Sequence, residues 1–288
     1  MLESASVSGA RSLKSRVRSL LVDTPLRHLA SPVHQELIRL EVHAVRLLDN
    51  RSGSVEPLSA AASGRVTAIV KTFERPRELR RLLESLRRCF PTLPVIVADD
   101  GRSPGQYAGA RTIALPFDSG VSAGRQAALA AVGTEYTWVL DDDFVLYRGT
   151  RLARALETLE REPRIDILGG PVIDLPLGLA QCGARSPIYP TPAQPVMPLG
   201  SLLGGLPVRD KVPNFFLART DRLRLVGWDP QLKRLDHGDF FTRARGVLVT
   251  VYDDQFRCLH AQSPFDRRYM KHRDDSANDS ALLQKRYF

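Results

Sequence analysis

Two periodicities organise the chain. Residues 66–72 (VTAIVKT) form a continuous apolar run that turns polar at its end, the pattern of a strand buried on both faces of a parallel sheet. Pro76 then stands where a helix can begin, and Leu79, Leu82, Leu83, Leu86 and Phe90 follow at helical spacing. The alternation repeats. PVIVADD (94–100) reads as a second strand, TIALP (112–116) as a third, and VSAGRQAALAAV (121–132) as a helix. YTWVLDDD (136–143) is another buried strand, ending in acid, and a helix over 150–161 and a strand over 165–170 continue the series. Strands alternating with helices predict an α/β fold with a mostly parallel sheet flanked by helices.

Both ends depart from this pattern. VHQELIRLEVHAVRLL (33–48) has helical apolar spacing, with Leu37, Leu40, Val45, Leu47 and Leu48 able to share a broad face. It predicts an N-terminal helical extension, followed by a linker over 52–64. Ahead of it, Arg11, Lys14, Arg16 and Arg18 precede Leu20, Leu21 and Val22. That segment reads either as part of an extension packed on the main domain or as a peripheral membrane contact through residues 11–22. In 173–212, Pro176, Pro187, Pro190, Pro192, Pro195, Pro198 and Pro207 break regular structure, which predicts a long functional loop. NFFLAR (214–219), helices near 220–226 and from about Gly238, strands over 247–253 and 256–260, and a polar basic tail complete the chain. The expected division is 1–62 extension and linker, 63–263 main domain, 264–288 tail.

With 43% apolar residues among 288, the chain can bury a sizeable core, which excludes global disorder. The formal charge of +9 suits nucleic acid, anionic lipid or a phosphorylated substrate and does not choose among them. Only 7% of residues are aromatic and none interleave with basic runs, which argues against a nucleic-acid platform. Cys89, Cys182 and Cys258 are far apart, with no CxxC, so neither a disulfide scaffold nor a cysteine metal site is expected. No run approaches the roughly 20 apolar residues of a membrane span. The expectation is a cytoplasmic bacterial protein, peripheral to the inner membrane if its basic segment binds there.

In sheets of this kind, ligands bind outside the carboxyl ends of the strands. Thr72, Glu74 and Arg75 follow the first strand, Asp99 and Asp100 end the second, and Asp141, Asp142 and Asp143 end the fourth. Three adjacent aspartates raise one another's pKa, and a divalent cation relieves the repulsion. Carboxylate oxygens select Mg²⁺ or Mn²⁺, which in turn grip a diphosphate. Asp99 and Asp100 are placed to accept hydrogen bonds from a base or ribose, and Arg125 stands at a helix start, where anions bind well. A nucleotidyltransferase would use similar acids, yet it usually carries a Gly-rich basic loop after the first strand, which KTFERP lacks.

VTAIVKTFERP, PVIVADDG, GVSAGRQAAL and YTWVLDDDF together resemble the nucleotide-sugar half of a GT-A glycosyltransferase, with DDD carrying the DxD motif. VPNFFLARTDRLRLVGWDPQLKRLDHGDFF closely resembles the β-1,4-N-acetylgalactosaminyltransferases that build ganglioside-type glycans, and the likeness spans roughly 66–262. The resemblance implies inverting, metal-dependent transfer of GalNAc or a related hexose from a UDP-sugar donor to a glycan or glycolipid acceptor. It implies that Asp100 contacts uracil, that Asp141 contacts ribose or metal, and that Asp143 is the main ligand of Mn²⁺ or Mg²⁺, completed by His260. Asp142 belongs to the same donor-binding cluster. The family's Glu falls at Asp239, which makes Asp239 the expected base, with Asp236 holding the acceptor or capping the helix. Trp228 could stack on a sugar or lie in the core, and Arg267, Arg268, Lys271 and Arg273 could close over the diphosphate.

Overall fold

The computed structural model describes residues 24–51, 58–176, 180–182, 188–262, 264–274 and 276–288. The basic cluster of Arg11, Lys14, Arg16 and Arg18 lies outside them, as do the side chains of Cys182, Arg267, Arg268 and Arg273.

The chain opens with helix α1 (Arg27–Arg51) and the short α2 (Ala60–Ser63). Strand β1 (Val66–Thr72) leads into α3 (Pro76–Cys89), which starts on Pro76 and buries Leu79, Leu82, Leu83 and Leu86. Then come β2 (Val95–Asp99), β3 (Arg111–Ala114), α4 (Val121–Ala130) and β4 (Tyr136–Asp141). After the acidic turn stand β5 (Phe144–Val145), α5 (Leu152–Arg161), β6 (Ile167–Gly169) and β7 (Val172–Asp174). The proline-rich stretch contains β8 (Ala180–Cys182), β9 (Leu202–Leu203) and β10 (Leu206–Pro207), so it is not loop throughout. β11 (Phe216–Arg219), α6 (Thr220–Val226), α7 (Asp236–Ala244), β12 (Thr250–Tyr252) and β13 (Cys258–His260) follow. The segment expected to be a polar tail folds into α8 (Arg267–Asp274) and α9 (Ala277–Tyr287).

Seven strands make one sheet in the order β12-β6-β11-β4-β1-β2-β3. The pairs β1–β2, β1–β4, β2–β3 and β6–β12 are parallel, and β11 alone runs against its neighbours β4 and β6. The sheet is therefore mostly parallel, as the alternation predicts. A second sheet, β5-β13-β7-β8, stands at the end of β4. Trp138 is fully buried, with Phe90, Phe215 and Phe256 around it at ring-centroid distances of 5.6, 5.9 and 6.1 Å. Cys89 and Cys258 are buried, and burial pushes the Cys89 thiol up to about 11.

α1 packs on the second sheet differently from its sequence reading. Ile38 and Val42 are buried against Val145, Leu175, Leu259 and Ala261, with Val45 partly buried beside them. Of the face expected to be covered, Leu37, Leu40, Leu47 and Leu48 stand exposed. The helix carries two apolar faces, and the broader one faces away from the core.

Candidate active site

The carboxyl ends of β1 and β4 lie side by side, with Lys71 in register with Asp141. This register delivers the acidic turn to Arg75. The guanidinium donates to Asp142 Oδ1 and Asp143 Oδ2, each at 2.8 Å, and Thr72 Oγ1 donates to Asp142 Oδ2 at 2.8 Å. The Tyr269 ring, from α8, covers Arg75 at 4.3 Å. The two buried acids titrate apart. Burial, aided by the charge of Asp143, pushes the Asp142 carboxyl up to about 7 in spite of Arg75. Burial acts in the same sense on Asp143, but His260 and Arg75 outweigh it and hold that carboxyl well below the usual range.

His260 reaches the acids through the second sheet. β13 pairs it with Phe144 on one side and Asp174 on the other. Its Nε2 lies 3.1 Å from Asp143 Oδ2, and its Nδ1 lies 2.8 Å from Asp174 Oδ1, which also accepts from Gln262 at 2.8 Å. Asp174 escapes sequence reasoning because it sits in the proline-rich stretch and its place depends on strand register.

α4 contributes Arg125, which is buried and donates to both Asp141 and Asp236. The start of this helix is shaped by two glycines. Gly120 has φ 98°, a left-handed conformation that favours glycine, and its N–H donates to Asp100 Oδ2 at 2.8 Å. A Cβ on Gly124 would lie 2.4 Å from Lys71 Cγ, so only glycine lets the helix approach the lysine that pairs with Asp100 at 2.7 Å.

Three of the expected donor-binding acids have hydrogen-bond partners within the chain. Asp100 is fully buried and committed to Lys71 and Gly120. Asp99 shapes its own loop, accepting from Gly101 N at 2.9 Å, Gly105 N at 3.0 Å and Tyr107 Oη at 2.8 Å. Glu74 is exposed and accepts from Arg102 N at 2.6 Å. None of the three lines the cleft beside the aspartates. Thr72 supports Asp142 from below and does not line it either.

The two carboxylates of α7 stand in different surroundings. The helix begins at Asp236, not near Gly238, and Leu235 in the capping position makes no side-chain cap. Asp236 lines the cleft, and its carboxyl is raised by burial and by Asp141 against the pull of Arg125. Asp239 is 1% exposed and lies outside the cleft. It accepts from Arg243 at 2.7 Å, Arg286 at 2.6 Å and Tyr287 Oη at 2.7 Å. The loop before α7 is held by Asp279 of α9, whose carboxylate accepts from the N–H groups of Lys233, Arg234 and Leu235 at 3.1, 2.6 and 2.9 Å. Trp228 is buried and stacked on Phe240 at 4.9 Å, so it belongs to the core.

The resulting cleft has a volume of about 310 Å³ and gathers Arg75, Arg125, Asp141, Asp142, Asp143, Asp236 and His260. Sequence reasoning missed Lys71, Asn214, Arg234, Tyr269 and His272, which line it too. Tyr269 and His272 are three residues apart on a helix, a spacing that puts both on one face, and that was the available signal. Arg75 Nε and Arg125 Nε are buried without a hydrogen-bond partner among the described residues. Buried donors of this kind are costly unless an acceptor arrives, and phosphate oxygens suit a guanidinium. Among the described residues no ready cage of three or more His, Cys, Asp or Glu is assembled. The donor chemistry still fits a divalent cation, since two carboxylates and an imidazole oriented by a second carboxylate face one cleft.

Residues 67–176 match the family described as Glycosyl transferase family 2. Human (Homo sapiens) beta-1,4 N-acetylgalactosaminyltransferase 1 is 40% identical over 201 residues, covering 65% of this chain and 37% of the relative. Mouse (Mus musculus) beta-1,4 N-acetylgalactosaminyltransferase 2 is 36% identical over 197 residues, covering 64% and 37%. The chain thus spans 37% of the length of these relatives. Among solved structures, S. aureus TarS aligns with a TM-score of 0.51 at 17% identity over 69% of this chain and 37% of TarS. The mannosyltransferase PcManGT from Pyrobaculum calidifontis, in complex with GDP-Man and Mn2+, aligns with a TM-score of 0.50 at 15% identity over 88% and 73%. At such identities both show the fold alone. Residues 67–176 are thus similar to glycosyl transferase family 2, within an α/β chain that is similar over 65% of its length to the β-1,4-N-acetylgalactosaminyltransferases.

Proposed function

We propose that this chain transfers a sugar, GalNAc or a related hexose, from a UDP-sugar to a hydroxyl of a glycan or glycolipid acceptor, with inversion and with Mn²⁺ or Mg²⁺. The observation that carries the reading is the convergence, in one cleft, of the Asp141–Asp143 cluster, two buried arginines with unpartnered Nε–H groups, and the buried carboxylate of Asp236.

Asp236 takes the acceptor proton at its carboxylate. Its burial raises its pKa, which makes it a better base than an exposed aspartate. Arg125 fixes its orientation through the ion pair they share. The Nε–H groups of Arg75 and Arg125 donate to the donor's diphosphate. Asp141, Asp143 and His260 Nε2 would hold the cation, which when bound neutralises charge on the departing diphosphate. Tyr269 and His272 line the cleft, with the Tyr269 ring over the Arg75 guanidinium. Asp236 is the one acid of the cleft outside the Asp141–Asp143 turn, which suits a single in-line displacement by the acceptor oxygen.

In steady-state assays Asp236→Asn lowers kcat by about a hundredfold or more, the scale of a lost general base, while the Kd for UDP stays near wild type. Asp239→Asn retains most of kcat and instead lowers Tm. Near-normal turnover by Asp236→Asn, a product with the donor's anomeric configuration, or full activity in excess EDTA with no bound metal would overturn the reading. UDP release across a panel of UDP-sugars with Mn²⁺ identifies the donor.

A further inference from the structure

Helix α1 presents an apolar surface that nothing in the chain covers among the described residues. Leu26, Leu29, Val33, Leu40 and Leu47 fall on one face at helical spacing, with exposures from 46% to 71%. The stripe runs about 33 Å at the rise of an α-helix, and Glu36, paired with Arg39, is the charged residue at its edge. The opposite side of the same helix is already used, with Ile38 and Val42 buried on the second sheet. An exposed stripe this long is larger than the scattered leucines of an ordinary surface.

Arginines flank the stripe. On one side, between α1 and α3, a cavity of about 670 Å³ mixes Arg39, Arg46, Arg77, Arg80 and Arg81 with Glu74, Glu78, Glu84 and Asp266. On the other, at the C-terminal end of the stripe, a pocket of about 360 Å³ holds Leu48 together with Arg148, Arg151 and Arg257. Arg148 and Arg151 are exposed and make no ion pair among the described residues. In sequence, the stripe is preceded by Arg11, Lys14, Arg16 and Arg18.

We propose that α1 seats the protein on an anionic membrane surface, the stripe entering the acyl boundary and the flanking arginines meeting lipid phosphates. Apolar area and cationic flanks are the two terms that set the binding of interfacial helices, and here both lie on one helix. The exposed Arg148 and Arg151, without ion pairs among the described residues, meet lipid phosphates better than they meet a second copy of this basic chain. This inference does not depend on the transfer reaction.

The test is flotation of the full chain with vesicles of phosphatidylcholine alone and of equal parts phosphatidylcholine and phosphatidylglycerol. The chain floats with the anionic vesicles and not with the neutral ones. Replacing Leu29, Leu40 and Leu47 together by Glu lowers the bound fraction at least about tenfold, while circular dichroism and Tm stay as in wild type because all three side chains are exposed. Arg148→Glu and Arg151→Glu each weaken binding about fivefold. Failure to float with anionic vesicles overturns the proposal. Flotation untouched by the triple leucine change also overturns it, since the basic segment would then act alone. A wild-type dimer that sediments as a monomer after the leucine change, with no lipid binding, assigns the stripe to a second copy instead.

Discussion

His260 presents one ring nitrogen to the acidic turn because Asp174 holds the other at 2.8 Å. A carboxylate behind an imidazole fixes ring orientation and raises its basicity, and removing such a partner typically costs about 10–100-fold in metal affinity. Asp174→Asn is therefore expected to raise the Kd for Mn²⁺ by about that factor, read by electron paramagnetic resonance titration, with Tm close to wild type. An unchanged Kd alongside a lowered Tm would leave Asp174 a purely structural role. The acids of the turn were legible in the sequence, since three aspartates after an apolar strand need a partner whatever the fold. The choice between Asp236 and Asp239 was not. They lie three residues apart on one helix, and what each meets is set by Arg125 on one side and by Arg286 and Tyr287 on the other. The partners of Asp99 and Asp100 were not legible for a related reason, because contacts with Gly105, Tyr107 and Lys71 cannot be read from a strand pattern.

Two elements set how α4 and α7 approach the cleft. α4 lies close to β1 only because Gly124 has no side chain where Lys71 passes. Gly124→Ala gains about 1 kcal/mol in helix propensity. It also drives a methyl into a lysine stem anchored on Asp100, and overpacking of this kind costs about 1–3 kcal/mol. The second effect wins because Cγ lies near the backbone and cannot swing aside, so Tm falls in a thermal melt. A variant as stable as wild type would show that Lys71 repacks freely. α7 is set by α9, through the three N–H groups that Asp279 receives. Asp279→Ala leaves those donors without their acceptor and is expected to cost roughly 3 kcal/mol, seen as a lower urea midpoint, with kcat falling as the start of α7 loosens. An unchanged midpoint would place the hold on α7 elsewhere. The alternation of strands and helices over 66–170 was readable because apolar periodicity carries it. α8 and α9 read as tail because their contribution comes from polar groups aimed at other elements, with Leu283 as a buried anchor in α9.

At the scale of the whole molecule, buried ionisable groups make stability depend on pH. Burial, with Lys211 nearby, pushes the His237 imidazole down to about 3 from 6.5. The unfolded chain binds a proton there below about pH 6.5 and the folded chain does not, so stability falls with decreasing pH across that window. The slope is at most about 1.4 kcal/mol per pH unit for the one proton. Asp142 opposes it. Its folded carboxyl is raised to about 7 from 3.8, so the folded chain holds the extra proton between those values and gains stability as pH falls through them. His237→Gln keeps a donor toward Val212 and removes the first contribution. Melts at a series of pH values between those two limits should show the variant losing less stability toward acid than wild type. Parallel curves would mean that His237 is protonated in the folded chain as readily as in the unfolded one.

The cleft does not share the positive excess of the protein around it. Asp141, Asp142, Asp143 and Asp236 share the cleft with Lys71, Arg75, Arg125 and Arg234, of which Lys71 and Arg234 are also engaged by Asp100 and Asp118. The chain as a whole carries a formal charge of +9. For the proposed nucleotide diphosphate, the field attracts from a distance, and within the last few ångströms the four aspartates set a local reversal against the bare anion. A nucleotide that travels already chelated to a divalent ion crosses that reversal without penalty. Its capture slows as ionic strength screens the long-range attraction, and the short-range reversal, buried from solvent, is screened far less.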